Sequence, residues 1–358
     1  MKRARLRELG INVGVLPPGE FNAITDVAGV QVGQATLVYD QPRVARTGVT
    51  MILPRAGAVW NDHCYAAYHS FNGKGELTGT HWISESGMLC FPIALTTTQQ
   101  VGTVHEAMVR YGKDEGLSTI YSLAVVGETY DGFLNDSSAF HVTAEHVRAA
   151  LADASSGPVR EGNTGGGTGM ICHDFKGGTG TASRLVEIAG ELYTVGALVQ
   201  ANYGSRADFR IDGVPVGRLI GSEQIPLPGK AEKSDGSIII VVATDAPLLP
   251  GQCKRLAQRA TVGLARVGGH GHNGSGDLFL AFSTGNHLPI DADAPFAVQT
   301  LPNQLMNPLF NAVAEAVEEA ILNALTAAET MTGYKGRMVH ALPLEGLKEL
   351  IDRYRPVE

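Results

Sequence analysis

The chain opens with short β-rich apolar runs, VQVGQATLV and TGVTMILP among them, broken by Gly, Pro, Asp and Asn at turn positions. Strands are therefore predicted to dominate the first hundred residues. Helical spacing enters later. Thr103, followed three residues on by Glu106, has the form of a capping box and predicts a helix running through Ala107 and Met108. A second helix is predicted after Thr143. Asn307 then Pro308 places a cap before a helix-compatible proline, and Leu309, Val313, Val317, Ala320, Ile321 and Ala324 recur three or four residues apart. That pattern predicts an amphipathic helix packed on a large surface. A further stripe, Cys253, Leu256, Ala257, Ala260 and Leu264, predicts a helix between two strong strands, SIIIVVAT from Ser237 and DLFLAFST from Asp277. Sheets covered by helices follow from this order.

Residues 222–236, SEQIPLPGKAEKSDG, break with their surroundings in holding two prolines, two glycines and five charged residues. They read as an exposed loop or linker. A Gly-Ser step then leads directly into a strand apolar enough to be buried on both faces. Ser237 thus sits where polar chain meets rigid core.

Composition narrows the function classes. At 358 residues, with 44% hydrophobic and 18% charged, the chain can bury a large core and is not disordered along its length. A net charge of −8 excludes a general polyanion binder, so no nucleic-acid partner is expected. No apolar run reaches the roughly 18 to 20 residues that span a bilayer, and no signal-peptide core follows the basic N-terminus. A cytoplasmic protein without a membrane partner is expected. Cys64, Cys90, Cys172 and Cys253 are far apart with no C-x-x-C pair, which predicts reduced thiols. Glycine, at 44 residues, is well above the average of about 7% and implies many tight turns and close backbone approaches.

Several familiar motifs fail. GHGHNG, residues 269–274, matches G-x-G-x-x-G in letters but lies between helix and strand, the reverse of the dinucleotide-binding order. EGNTGGGTGMICHDFKGGTG contains no G-x-x-x-x-G-K-[ST], and no G-x-S-x-G elbow occurs. His270 and His272 lack the partners that would complete a metal site, so no metal and no cofactor are expected.

What remains centres on Asp235-Gly236-Ser237 and Ser275-Gly276-Asp277. Together with GEFNAITDVAGVQVG, NGKGELTG, VVGETYDGFLND, GNTGGGTGM, VGALVQANYG, DGSIIIVVATDAPLLP and NGSGDLFLAFST in the same order, these segments resemble the DmpA-like autoproteolytic aminopeptidases, the L-aminopeptidase/D-esterases and β-peptidyl aminopeptidases. The resemblance covers almost the whole chain. It implies an αββα sandwich and a single peptidase domain, 1–358, cut between Gly236 and Ser237 into chains 1–236 and 237–358. It also implies assembly as a homo-oligomer, a tetramer of such cleaved pairs. Glycine before the cut permits the strained turn in which a hydroxyl attacks the preceding carbonyl. Once free, Ser237 offers a nucleophilic hydroxyl and an α-amino base with a pKa near 7.7 to 8.0 in model peptides.

By the same resemblance Ser275 is a proton relay, Asp277 the acid that orients it, and Asn202 the oxyanion-hole donor. Glu128 and Tyr130 bind the free amino group of a small peptide, amide or ester and line its pocket. Ser275 and Asp277, two apart on an extended segment, share a face, as do Glu128 and Tyr130. Some relatives have glutamate where this chain has Asp277, which leaves open whether the shorter carboxylate reaches Ser275 directly or through water. NGKGELTG around Glu76 carries no assigned role. Two other readings follow from the same segments: an acyltransferase like the ornithine acetyltransferases, whose nucleophile is typically threonine, and a non-catalytic binding relative that never processes.

Overall fold

A computed structural model describes residues 3–117, 123–229 and 236–355. Its strands are, in chain order, β1 (Gln31–Tyr39), β2 (Ala45–Leu53), β3 (Asp62–Gly73), β4 (Met88–Leu89), β5 (Ile93–Thr97), β6 (Val125–Thr129), β7 (Ile171–Cys172), β8 (Phe175–Lys176), β9 (Gly178–Ile188), β10 (Glu191–Tyr203), β11 (Gly236–Thr244) and β12 (Gly276–Pro289), followed by the two-residue β13 (Met331–Thr332) and β14 (Met338–Val339). The helices that matter below are α1 (Thr80–Ser86), α2 (Val101–Asp114), α3 (Ala144–Ala152), α4 (Val216–Leu219), α5 (Pro250–Val267) and α6 (Asn307–Ala327). One sheet has four strands in the order β1-β2-β5-β6, the other six in the order β4-β3-β12-β11-β10-β9.

Alternation along the central strand β11 explains the layering. Ile238, Ile240 and Val242 pack into a core shared with α5 and α6, whereas Ile239, Val241 and Ala243 pack against the four-stranded sheet. Helices α2 and α3 cover the outer face of that second sheet. The order is helices, sheet, sheet, helices. Both faces of β11 are thereby removed from water, as its unbroken apolar run requires.

Two helix predictions need correction. Helix α2 begins at Val101 after Gln100, so Thr103 lies inside the first turn and caps nothing. The shift is within the usual uncertainty of helix ends, but the capping role is lost. Helix α6 starts at the predicted place, yet it is not amphipathic in use: from Ala312 to Thr326 every residue is buried. Its glutamates are tolerated inside because they are paired. The guanidinium of Arg184, on β9, donates to Glu315 Oε2 at 2.9 Å and to Glu319 Oε2 at 2.7 Å, and Arg7 Nε reaches Glu319 at 2.9 Å. The helix after Thr143 forms as expected, with Thr143 at its N-cap and its amide donating to His146 Nδ1 at 3.1 Å.

The predicted loop over 222–236 falls partly outside the described residues. Among those described, no helix is long and apolar enough to cross a membrane. All four cysteines are free.

Candidate active site

The C-terminal end of β10 and the N-terminal ends of β11 and β12 meet where β11 begins. Antiparallel pairing with β10 sets Ser237 opposite Asn202, and parallel pairing with β12 sets it beside Gly276. The buried Ser237 hydroxyl donates to the Gly236 carbonyl oxygen at 2.7 Å and accepts from the Gly276 amide at 3.1 Å. Gly236 has φ +77°, and a Cβ there would lie 2.3 Å from the Asn202 carbonyl oxygen and 2.6 Å from Tyr203 Cα. Conformation and space both demand glycine at this step.

Ser275 and Asp277 meet directly. Ser275 Oγ lies 2.6 Å from Asp277 Oδ2, so the shorter carboxylate needs no bridging water to reach it. Asn72, paired with Asp277 across the β3–β12 ladder, donates from Nδ2 to the Ser275 carbonyl at 2.7 Å and fixes the turn that presents the hydroxyl. Burial raises the Asp277 carboxyl above its ordinary range, against the hydrogen bond from Ser275. Strand alternation separates this pair from the Ser237 side chain. Asp277 shares the face of Phe279 and Ala281, toward α5, whereas Ser237 shares the face of Ile239, toward the four-stranded sheet. Among the described residues no hydrogen bond joins Ser275 to the Ser237 hydroxyl.

Asn202 closes the other side. Its Oδ1 accepts from the Ile171 amide at 2.8 Å, which settles the amide orientation and aims Nδ2 at the Tyr130 carbonyl, 3.1 Å away. Glu128, opposite Thr96 in the β5–β6 pair, is buried rather than a solvated surface charge. Its Oε1 accepts from the Glu76 amide at 3.0 Å and its Oε2 from the Thr98 hydroxyl. Burial raises its pKa, offset by those two hydrogen bonds. No lysine or arginine among the described residues forms an ion pair with it, and the carboxylate is held by those two dipoles. Tyr130 lies one residue beyond β6 and is 42% exposed, so the strand pairing expected of Glu128 and Tyr130 ends between them.

The NGKGELTG segment acquires a role here. A Cβ at Gly75 would lie 3.1 Å from Glu128 Oε1 and 3.2 Å from Gly276 Cα, so this turn is wedged between the carboxylate and the strand that flanks Ser237. Its glycines and the Glu76 amide were legible only as a recurring motif. Asn72 was legible only as the first residue of that motif, and Thr98 carried no sequence signal, since polar residues at strand ends are common. The arrangement offers a nucleophilic hydroxyl poised on a carbonyl, an amide donor, a carboxyl-backed serine and a buried anion. Among the described residues no group of three or more His, Cys, Asp and Glu could hold a metal ion.

Comparison with known proteins agrees with this geometry. The chain is 45% identical to the β-peptidyl aminopeptidase BapA of Sphingosinicella microcystinivorans, over 98% of this chain and 92% of that protein. A β-aminopeptidase structure from Burkholderia sp. superposes with a TM-score of 0.92 at 48% identity, covering 99% of this chain and all of the other. The l-aminopeptidase d-ala-esterase/amidase of Ochrobactrum anthropi, described as a variant of the Ntn hydrolase fold, superposes with a TM-score of 0.90 at 44% identity, covering 98% of each chain. Residues 22–339 match peptidase family S58, and with similarity of this extent the chain belongs to that family of serine aminopeptidases.

Proposed function

We propose that the chain is a self-processing aminopeptidase in which Ser237 cuts its own precursor and then removes N-terminal residues from small peptides, amides or esters. The observation that carries this reading is the contact of the Ser237 hydroxyl with the Gly236 carbonyl across a glycine held at φ +77°. In processing, Ser237 Oγ attacks the Gly236 carbonyl carbon, and the C–N bond to Ser237 breaks as its nitrogen takes the hydroxyl proton. Water hydrolyses the resulting ester, leaving chain 1–236 with a carboxylate and chain 237–358 with a free α-amine.

In turnover, Ser237 Oγ attacks the first carbonyl of the substrate while the α-amine accepts its proton. Asn202 Nδ2 gives up the Tyr130 carbonyl for the developing oxyanion. The proton passes to the leaving amine, and water then hydrolyses the acyl-enzyme. Ser275, backed by Asp277, acts on the α-amine, consistent with its position on the opposite sheet face from the hydroxyl. Glu128 pairs with the substrate ammonium, and this limits cleavage to the first residue. Relatives named as β-peptidyl aminopeptidases support substrates with an N-terminal β-amino residue as the first class to screen. A cytoplasmic setting is part of this reading, supported by the four free cysteines.

The test is the denatured intact mass of purified protein with N-terminal sequencing. Two chains are expected, the smaller beginning SIIIVVAT, and one uncut inactive chain from Ser237→Ala. A Ser237→Ala protein that still cuts after Gly236 would overturn the nucleophile assignment.

A further inference from the structure

Behind the Ser275–Asp277 pair, three buried polar atoms have no partner among the described residues, one of them His173 Nε2 beside the Tyr203 ring. Asp277 Oδ1 and the Tyr203 hydroxyl each have no hydrogen-bond partner, although both are shielded from solvent. Tyr203 ends β10, one residue after Asn202, and its ring points to the same sheet face as Asp277, packed edge-on against His173 at 4.8 Å between centroids. Both residues line one small pocket with a volume of about 10 Å³, the size of a single water site, bordered by Leu264 and by the Gly268–His272 turn. Buried donors and acceptors are rarely left unpaired, and a space of this size with facing polar groups is what a bridging water occupies. The phenol can donate and the carboxylate can only accept, so the polarity of such a bridge is fixed.

Resting on the reading of Ser275 and Asp277 as part of the machinery, we infer that Tyr203 is a positioning residue for Asp277, its hydroxyl donating through one water to Oδ1. The bridge holds the carboxylate ionised and turned with Oδ2 on Ser275. The Ile238 amide, by a hydrogen bond, and His272, from the neighbouring turn, also favour the ionised carboxylate, and the phenol adds to them. His272 and His270 lie on the turn at the pocket mouth, Asn72 on β3 is neutral and occupied with Ser275, and the Ile238 amide of β11 lies beside the carboxylate. Leu264 of α5 is apolar. His173, beyond the Tyr203 ring, is neutral because burial lowers its pKa to about 4.

Tyr203→Phe removes only the hydroxyl. If that oxygen had no partner in water either, the change would be neutral or stabilising. The expected result is different: the acid limb of the pH profile of kcat/KM moves up by about half a pH unit or more, since an ionised carboxylate has lost a donor. At pH 6 kcat falls several-fold, and KM changes less than about twofold. Replacing Tyr203 with 3-fluorotyrosine, which keeps the shape and makes the phenol a stronger donor, should move the limb the other way and serves if the phenylalanine variant folds poorly. Asp277→Asn separates the two levels of the argument. An active Asp277→Asn enzyme overturns the underlying reading of the relay, whereas an inactive one, combined with pH profiles unchanged by both Tyr203 substitutions, overturns the role of Tyr203 alone.

Discussion

Asn202→Ala tests the oxyanion donor with two separable magnitudes. The side chain is 7% exposed and makes two hydrogen bonds, accepting from the Ile171 amide at 2.8 Å and donating to the Tyr130 carbonyl at 3.1 Å. Truncation removes the donor aimed where negative charge develops, and loss of one such donor costs roughly 10² to 10³ in kcat, about 2.7 to 4 kcal/mol. It also orphans the Ile171 amide, a cost of about 1 to 3 kcal/mol in stability, toward the lower end because Ile171 is only half-buried. Intact mass is measured first, since the same donor would face the Gly236 carbonyl during processing. Cut protein is then assayed for kcat and KM on an amino-acid p-nitroanilide, and for its urea midpoint. The reasoning is refuted by a kcat loss below about tenfold, or by a loss wholly in KM, which would make Asn202 a ground-state binder.

Glu319 lies fully buried against Arg184, Arg7 and Asn22, so Glu319→Ala should lower unfolding free energy by about 3 to 5 kcal/mol in urea titration, and a change under about 1 kcal/mol would show that the network relaxes without it. Glu128→Gln keeps the shape but not the charge, and should lower kcat/KM for substrates with a free amine by about tenfold or more; equal hydrolysis of N-acylated and free-amine substrates by the unaltered enzyme would contradict the role. Burial lowers His173 from 6.5 to about 4, so the unfolded chain binds a proton in that window that the folded chain does not. Its contribution is whole above pH 6.5 and is lost as pH falls toward 4, by about 3 kcal/mol, and His173→Gln should flatten that part of the stability profile measured by denaturation.

Several local features of the candidate site are legible in the sequence. The polar-to-apolar switch at Gly236-Ser237, the two-residue spacing of Ser275 and Asp277, and the strand–helix–strand order around α5 all survive in the structure, because each rests on local periodicity. The direct Ser275–Asp277 contact could not be read, since one methylene of reach depends on the turn that Asn72 ties down. The burial of Glu128 could not be read either, and only packing of β6 under the Gly75 turn shows it to be a buried anion. Helix α6 misled for a related reason. Its apolar stripe is real, but the opposite face is also covered, and Arg184 and Arg7 arrive from distant parts of the chain to neutralise its glutamates.

The sequence by itself determined which residues could do chemistry here and which local elements would hold them, because propensity, capping and alternation act over a few neighbours. Only the tertiary structure decided how those residues face one another. The register of β10, β11 and β12 sets Asn202 opposite Ser237 and places Asp277 on the other sheet face, and register is fixed by packing across hundreds of residues rather than by any short motif.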